Sequence, residues 1–79
     1  MEKHNASQLQ KGERAEISGI EINEIPLKLI EMGCLPGNSI ELIQIAPLGD
    51  PFFFTINDAK VAIRKSTASY IYIHIESLQ

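Results

Sequence analysis

The stretch from Glu24 to Phe54, EIPLKLIEMGCLPGNSIELIQIAPLGDPFFF, carries most of the apolar mass of the chain and nearly all of its turn-forming residues. It contains two tight corners, Leu35-Pro36-Gly37-Asn38 and Pro47-Leu48-Gly49-Asp50-Pro51. Proline presets φ and glycine supplies positive φ at such corners. The corners therefore separate a short helical segment from one strand, and that strand from the next.

The segment before the first corner has the pattern of an amphipathic helix. Asn23 is a plausible N-cap, Pro26 then lies in the first turn, and Gly33 ends the helix. Leu27 and Ile30 fall outside the apolar stripe, so they are either covered by a loop or left for a partner. The residues of the stripe recur at three- and four-residue steps: Ile22, Ile25, Leu29 and Met32.

Five other segments have the two-residue alternation of half-buried strands. The alternation slips by one residue between Leu42 and Ile43, which predicts a bulge, and Asn57-Asp58 suits a tight hairpin turn. The sequence predicts a mainly β fold, a small antiparallel barrel of about five strands with one short inserted α-helix, in which closure removes exposed edges. The predicted strands are residues 14–20, 39–46, 52–56, 60–64 and 70–76, with Ile71, Ile73 and Ile75 inward and a turn at 65–69.

Composition excludes several classes of protein. The chain has 79 residues, enough for one domain, and 10 acidic against 7 basic residues give a net charge of −3. Because backbone-driven nucleic-acid binding needs clustered Lys and Arg, and no such cluster is visible, we predict no nucleic-acid partner. A lone cysteine and the lack of an apolar leader or membrane-length run predict a cytoplasmic protein that does not insert into the membrane.

With its corners in place, the chain resembles the FeoA family of small accessory proteins. The resemblance implies an SH3-like barrel with an inserted helix over residues 9–79, preceded by a flexible segment at 1–8. Two positions depart from the family pattern, since Cys34 replaces a large aliphatic residue and Asn57-Asp58 stands where glycine is common. The motifs that carry the resemblance are Leu9-Gln10-Lys11-Gly12, Leu29-Ile30-Glu31-Met32-Gly33, Leu35-Pro36-Gly37, Ala46-Pro47-Leu48-Gly49-Asp50-Pro51, and Val61-Ala62-Ile63-Arg64 followed by Ala68.

The resemblance implies a role in bacterial ferrous iron uptake. It indicates a non-enzymatic protein-interaction module that binds and modulates FeoB, the membrane Fe(II) transporter with a cytoplasmic GTP-binding domain, through that domain or the membrane domain. Similar domains occur in DtxR-type metal-dependent repressors, so a related regulatory domain is one alternative. The other alternative is a small Fe(II)-binding chaperone or sensor.

The sequence lacks the residue patterns of catalysis and of metal binding. It has no HExxH, CxxC, phosphate-binding glycine loop or nucleophile elbow. The pairs His74 with Glu76 and His4 with Glu2 supply too few ligands for a stable metal site. Cys34 follows a helix end, where no helix N-terminus lowers its pKa, so it is expected to be a buried apolar residue. We therefore expect no cofactor, metal site or catalytic residue.

Candidate partner-binding residues lie on the second corner and on the apolar positions that the predicted core leaves out. The corner would present Leu48 rigidly, and loops carry function disproportionately. Arg64 could stabilise phosphoryl-transfer charge in trans, or bond carbonyls or an acidic neighbour at a strand end. A weak homo-oligomer through exposed apolar residues is also compatible with the sequence. The candidates are Leu27, Ile30, Leu48, Gly49, Asp50, Phe53 and Arg64, and the structural turns are Gly33, Pro36, Gly37, Pro47 and Pro51.

Overall fold

Five antiparallel strands form one sheet in the computed structural model, which describes residues 4–75. The strand order is β4-β3-β2-β1-β5. The predicted mainly β fold is confirmed, and the strand bounds are close to those expected from alternation. The strands are β1 (Arg14–Ile20), β2 (Ser39–Ile45), β3 (Phe52–Ile56), β4 (Ala59–Ile63) and β5 (Ile71–Ile75).

The core lies on the inner face of the sheet, because alternate residues of each strand point to the same side. Ala15 and Ile17 on β1 and Ile71 on β5 have no exposed surface. Ile73 on β5, which was predicted inward, is also buried. Alternate residues of two further strands are buried as well: Phe52, Phe54 and Ile56 on β3, and Val61 and Ile63 on β4. Ile75 was expected inward but is 36% exposed. It stands at the end of β5, where less of the fold remains to cover it.

Both predicted irregularities of the sheet are present. The register between β2 and β3 shifts between Leu42 and Gln44, so Ile43 is the extra residue of a bulge. Asn57 and Asp58 have φ of 50° and 70° and join β3 to β4 in a two-residue hairpin. The bulge bends β2, which lets one strand serve two differently oriented parts of the sheet.

The helix before the first corner is shorter than the pattern predicted. It spans α1, Leu27–Glu31, with Pro26 at the N-cap position, whereas the predicted helix began at Asn23. Ile22 is 67% exposed and does not join the apolar stripe. The reason lies in Pro26, because proline disfavours the α conformation in the residue before it. Residues 22–25 therefore form a turn, in which the Glu24 N–H donates to the Glu21 carbonyl at 2.8 Å.

The first corner has the geometry that its glycines predicted. Gly33, just past α1, has φ of +110°, and Gly37 has φ of +97°. The Asn38 side-chain N–H donates to the Gly33 carbonyl at 2.7 Å, and the Gly37 N–H donates to the Ile17 carbonyl at 2.8 Å. These bonds fasten the corner that contains Pro36 to α1 and β1.

A second short helix, α2 (Lys65–Ala68), replaces the turn expected between β4 and β5. Its Ala68 is fully buried, so the helix packs its small face on the core. Residues 4–75 thus contain two short α-helices where one was predicted, together with a 3-10 helix at Ala6–Gln8. None of the helices within residues 4–75 is long and apolar enough to span a bilayer.

Residues 4–8 contact the sheet and the core. Asn5 and Gln8 form a reciprocal capping box around the 3-10 helix, and Ala6 is fully buried. The Ile73 N–H donates to the His4 carbonyl at 3.1 Å, which places this segment along β5. These contacts do not fit a flexible segment, and the division of the chain at residue 8 stays a prediction.

The two edges of the sheet differ. The edge of β5 is partly occupied by residues 4 and 5, through the bond to His4 and a bridge between Asn5 and Tyr72. The sequence predicted that closure of the barrel would leave no exposed edge. Since β4 and β5 do not pair, the edge of β4 remains. The outer edge of β4 has no strand partner within residues 4–75, and α1 lies across an open groove from it.

Candidate functional site

The corner between β2 and β3 presents the most exposed apolar side chain among the described residues. Leu48 is 97% exposed at the tip. The loop beneath it is closed by two backbone bonds, from Gly49 N–H to the Ala46 carbonyl at 2.8 Å and from Ala46 N–H to the Pro51 carbonyl at 3.0 Å. Pro47 precedes the tip, and the Asp50-Pro51 peptide is cis. The corner is therefore compact and holds Leu48 outside the core.

Asp50 ties this corner to the junction of β4 and α2. Its Oδ1 accepts a hydrogen bond from the Lys65 backbone N–H at 2.8 Å. The two residues lie fifteen positions apart along the chain. Lys65 N–H belongs to the first turn of α2, whose amides have no partner within the helix. Asp50 therefore supplies the cap that Arg64, at the N-cap position, does not provide.

Phe53 lies on the outer face of β3, beside the same junction. It is 39% exposed, pairs with Ala62 of β4, and faces the bulge formed by Ile43 and Gln44 of β2. Asp50, Ala62 and Arg64 together line a shallow pocket of about 400 Å³. The structure thus brings three predicted candidates, Asp50, Phe53 and Arg64, to one end of β4.

Leu27 and Ile30 do not line that pocket. Leu27 is 67% exposed on α1. Ile30 is half-buried against the core, so only part of its side chain is free to contact a partner. Neither lines the groove between α1 and β4.

The groove between α1 and β4 contains residues that the sequence did not single out. It has a volume of about 470 Å³ and holds the cationic side chains of Lys28, Lys60 and Arg64. Lys28 lies within the predicted helix, and Lys60 lies within a predicted strand. No local signal joins them, because their proximity depends on how α1 packs beside β4. The apolar part of the lining is Pro26, Leu29, Met32, Val61, Ala62 and Ile63.

Cys34 is fully buried, as the sequence predicted. Burial disfavours the charged thiolate and raises the pKa of the Cys34 thiol from its ordinary 9.0 to about 11. The residues described include no group of three or more His, Cys, Asp and Glu side chains that could hold a metal ion. The predicted pairs with Glu2 and Glu76 lie partly outside the described residues.

The buried thiol makes two measurable predictions. At pH 8 we expect native Cys34 to react with a chromogenic disulfide reagent on the order of 100-fold more slowly than the urea-unfolded chain.

The second prediction concerns stability. Because the pKa of the Cys34 thiol is higher in the folded state, the folded protein keeps the thiol proton between pH 9 and about 11. The free energy of unfolding should therefore fall as pH rises through that window. Urea titrations at pH 8 and 10.5 measure this.

The Cys34→Ala variant is the control for this prediction. It should lose that part of the pH dependence of the free energy of unfolding which belongs to the thiol. Equal reactivity of the native and unfolded thiols would contradict the prediction.

A family model described as the FeoA domain matches residues 4–75. An Fe(2+) transport protein A/Fe(2+) transporter FeoB fusion protein of Porphyromonas gingivalis is 35% identical over 72 residues. That match covers 90% of the chain but 8% of the fusion protein, so the chain spans a small part of this relative.

Two solved structures have the same fold. Iron(II) transport protein A of Clostridium thermocellum matches with a TM-score of 0.77 and 36% identity, over 90% of this chain and 44% of that one. The zinc complex of Stenotrophomonas maltophilia FeoA, described as an SH3 domain protein, matches with a TM-score of 0.75 over 89% and 88% of the two chains. At 20% identity this second match concerns the fold alone. With a family model matched over 4–75 and this fold, the chain belongs to the FeoA domain family.

Proposed function

We propose that this chain is an accessory protein of bacterial ferrous iron uptake that docks on the cytoplasmic part of the FeoB transporter and modulates it. Membership of the FeoA family supports a role as a non-enzymatic accessory protein of ferrous iron transport. The observation that carries the proposal is the Porphyromonas gingivalis relative, in which a matching domain and an FeoB transporter form one polypeptide.

Fusion supports a physical association between the two proteins. A linker holds two modules at an effective concentration of about millimolar, so even a weak contact between them is populated. When the partners are separate chains, the contact must arise from the surface of the small domain itself. Asp50, Phe53 and Arg64 meet at one end of β4, beside the exposed Leu48 corner, and we propose this surface for the contact.

Modulation requires more than contact. A partner shifts a conformational equilibrium only by its differential affinity for the two states. The proposed regulatory role therefore requires that the chain bind one nucleotide state of the FeoB GTP-binding domain more tightly than the other. A preference of about tenfold corresponds to roughly 1.4 kcal/mol, within the usual range of allosteric coupling.

The test is an NMR titration of isotope-labelled protein with the FeoB GTP-binding domain, loaded with either GDP or a non-hydrolysable GTP analogue. We expect amide shifts at residues 47–53 and 62–65, with different affinities for the two loaded forms. Leu48→Ser should weaken binding by about 3- to 30-fold, as for a buried interface anchor. The exposed Ile22→Ser, far along the chain from the corner, is the matched control.

Other outcomes distinguish the alternatives. Equal affinity for both nucleotide states would remove the regulatory part and leave a scaffold role. Shifts produced by anaerobic Fe(II) around His74, and none by the domain, would support the Fe(II) chaperone or sensor instead. Binding to neither would contradict docking on that domain and direct the same titration to the membrane domain.

A further inference from the structure

The free edge of β4 exposes backbone groups that have no strand partner within residues 4–75. The two-residue turn at Asn57-Asp58 makes Ile56 and Ala59 the closing pair of the hairpin. Hydrogen-bonded and non-hydrogen-bonded pairs alternate along an antiparallel ladder. Lys60 and Ala62 are therefore the residues whose N–H and C=O groups point away from β3, toward the groove.

Natural proteins usually protect such an edge. Here the opposite edge, β5, is partly occupied by His4 and Asn5, whereas the edge of β4 faces an open groove. An unpaired row of backbone donors and acceptors is a template for the addition of another strand. Extended peptides use such edges for affinity, and pockets for alternate side chains provide specificity.

The groove lining has two chemically different sides. Val61 and Ile63 are buried, and they line the groove together with Leu29 and Met32 of α1. Lys60 and Arg64 are exposed, and Lys28 approaches from the α1 side. A strand added to β4 would therefore place every second side chain against apolar surface and the alternate ones near cations.

The charge of the groove opposes the charge of the whole chain. The net charge is −3, yet the groove holds three of the seven Lys and Arg residues of the chain. No acidic side chain among the described residues lines it. Complementary potentials at an interface select the partner and accelerate its association.

From these observations we propose that the β4 edge binds an extended segment of a partner protein in which apolar and acidic residues alternate. The segment adds as a sixth strand, bonds the free N–H and C=O groups of Lys60 and Ala62, and sets its carboxylates beside Lys28, Lys60 and Arg64. This inference rests on the proposed function as a docking module and names the chemistry of the segment that docks.

The first test uses the synthetic peptide Ac-Glu-Val-Glu-Val-Glu-Val-amide with isotope-labelled full-length protein. We expect the largest amide shifts at Lys60 and Ala62, because their N–H groups gain acceptors. The same peptide with alternate N-methylated amides, which cannot form the ladder, should not bind at the edge. Binding of the N-methylated peptide with equal affinity, or shifts centred away from β4 and α1, would overturn the proposal.

Charge variants provide the second test. Lys60→Glu should weaken binding of the peptide by roughly 3- to 30-fold, since one attraction becomes a repulsion. Lys11→Glu makes the same charge change at an exposed position outside the groove and should alter affinity by less than about twofold. Lys28→Glu, on a different element, serves if Lys60→Glu fails to fold. Equal losses in the groove variant and the Lys11 variant would contradict a defined edge site.

Nucleic acid is the competing ligand for three clustered cations. Oligo-uridine that binds the groove more tightly than the acidic peptide would overturn the assignment of a protein segment as the ligand.

Titration of the Lys60→Glu variant with the FeoB domain separates this inference from the proposed function. If the domain binds this variant as tightly as the unmodified protein, docking stands and the edge proposal fails; if the peptide binds the edge but the domain binds nowhere, the proposed partner is wrong and the edge site stands.

Discussion

Phe54→Ala is expected to destabilise the protein by about 3–5 kcal/mol, the usual cost of removing a buried phenylalanine side chain. Phe54 is 1% exposed and lies in the centre of β3, paired with Leu42 on one side and Val61 on the other. The centroid of its ring lies 6.0 Å from the centroid of the Phe52 ring. In a domain of this size the melting temperature should fall by about 12 °C or more.

Phe53→Ala is the matched control, since it removes the same side chain from the neighbouring residue. Phe53 is 39% exposed on the outer face, so its loss leaves no internal cavity and should cost about 1 kcal/mol or less. Thermal and urea unfolding followed by circular dichroism measure both variants. Equal destabilisation by the two would show that the assignment of inner and outer faces is wrong.

Gly33→Ala is expected to cost about 2–4 kcal/mol, because two effects combine at this position. The φ of +110° is a conformation that L side chains rarely adopt. A Cβ added there would also lie 3.0 Å from the Asn57 Cβ, in the hairpin turn that itself has positive φ. The helix end and the β3–β4 turn would have to move apart.

Gly37→Ala separates the two effects. Gly37 has a similar φ of +97°, but an added Cβ would meet nothing within 4 Å. Gly37→Ala should therefore lower the free energy of unfolding only through the unfavourable backbone conformation, by about 1–3 kcal/mol. Urea midpoints of the two variants give the difference. A Gly37→Ala loss as large as that of Gly33→Ala would contradict the role of the Asn57 contact.

Much of the sheet followed from the sequence because its signals are local. The alternation around Ile17 and Phe54, the slip beside Ile43 and the positive φ tolerated by Asn57 and Asp58 each depend on a few adjacent residues. The helix start was wrong for a local reason as well, since the effect of Pro26 on Ile25 outweighs the apolar spacing that continues back to Ile22. The spacing of apolar residues alone therefore predicted a helix that was too long.

Candidate site residues depended on longer-range structure. The Leu48 corner was recognisable from its proline and glycine residues, and the structure confirms that Leu48 is exposed. The attachment of this corner to α2 was not recognisable from the sequence, because the Asp50 carboxylate accepts a hydrogen bond from a backbone amide fifteen residues away. Ile30 was a candidate for exposed surface, but α1 is turned so that this side chain packs partly on the core.

The sequence by itself determined the strands, the two corners, the buried thiol and the family resemblance, because periodicity, turn chemistry and motif spacing are properties of neighbouring residues. Only the tertiary structure decided that the sheet stays open at β4 and that Lys28, Lys60 and Arg64 share one groove. Those features arise from the packing of α1 beside a strand about thirty residues later. Composition, which averages over the whole chain, showed an acidic molecule, whereas folding brought three of its seven Lys and Arg residues together at one edge.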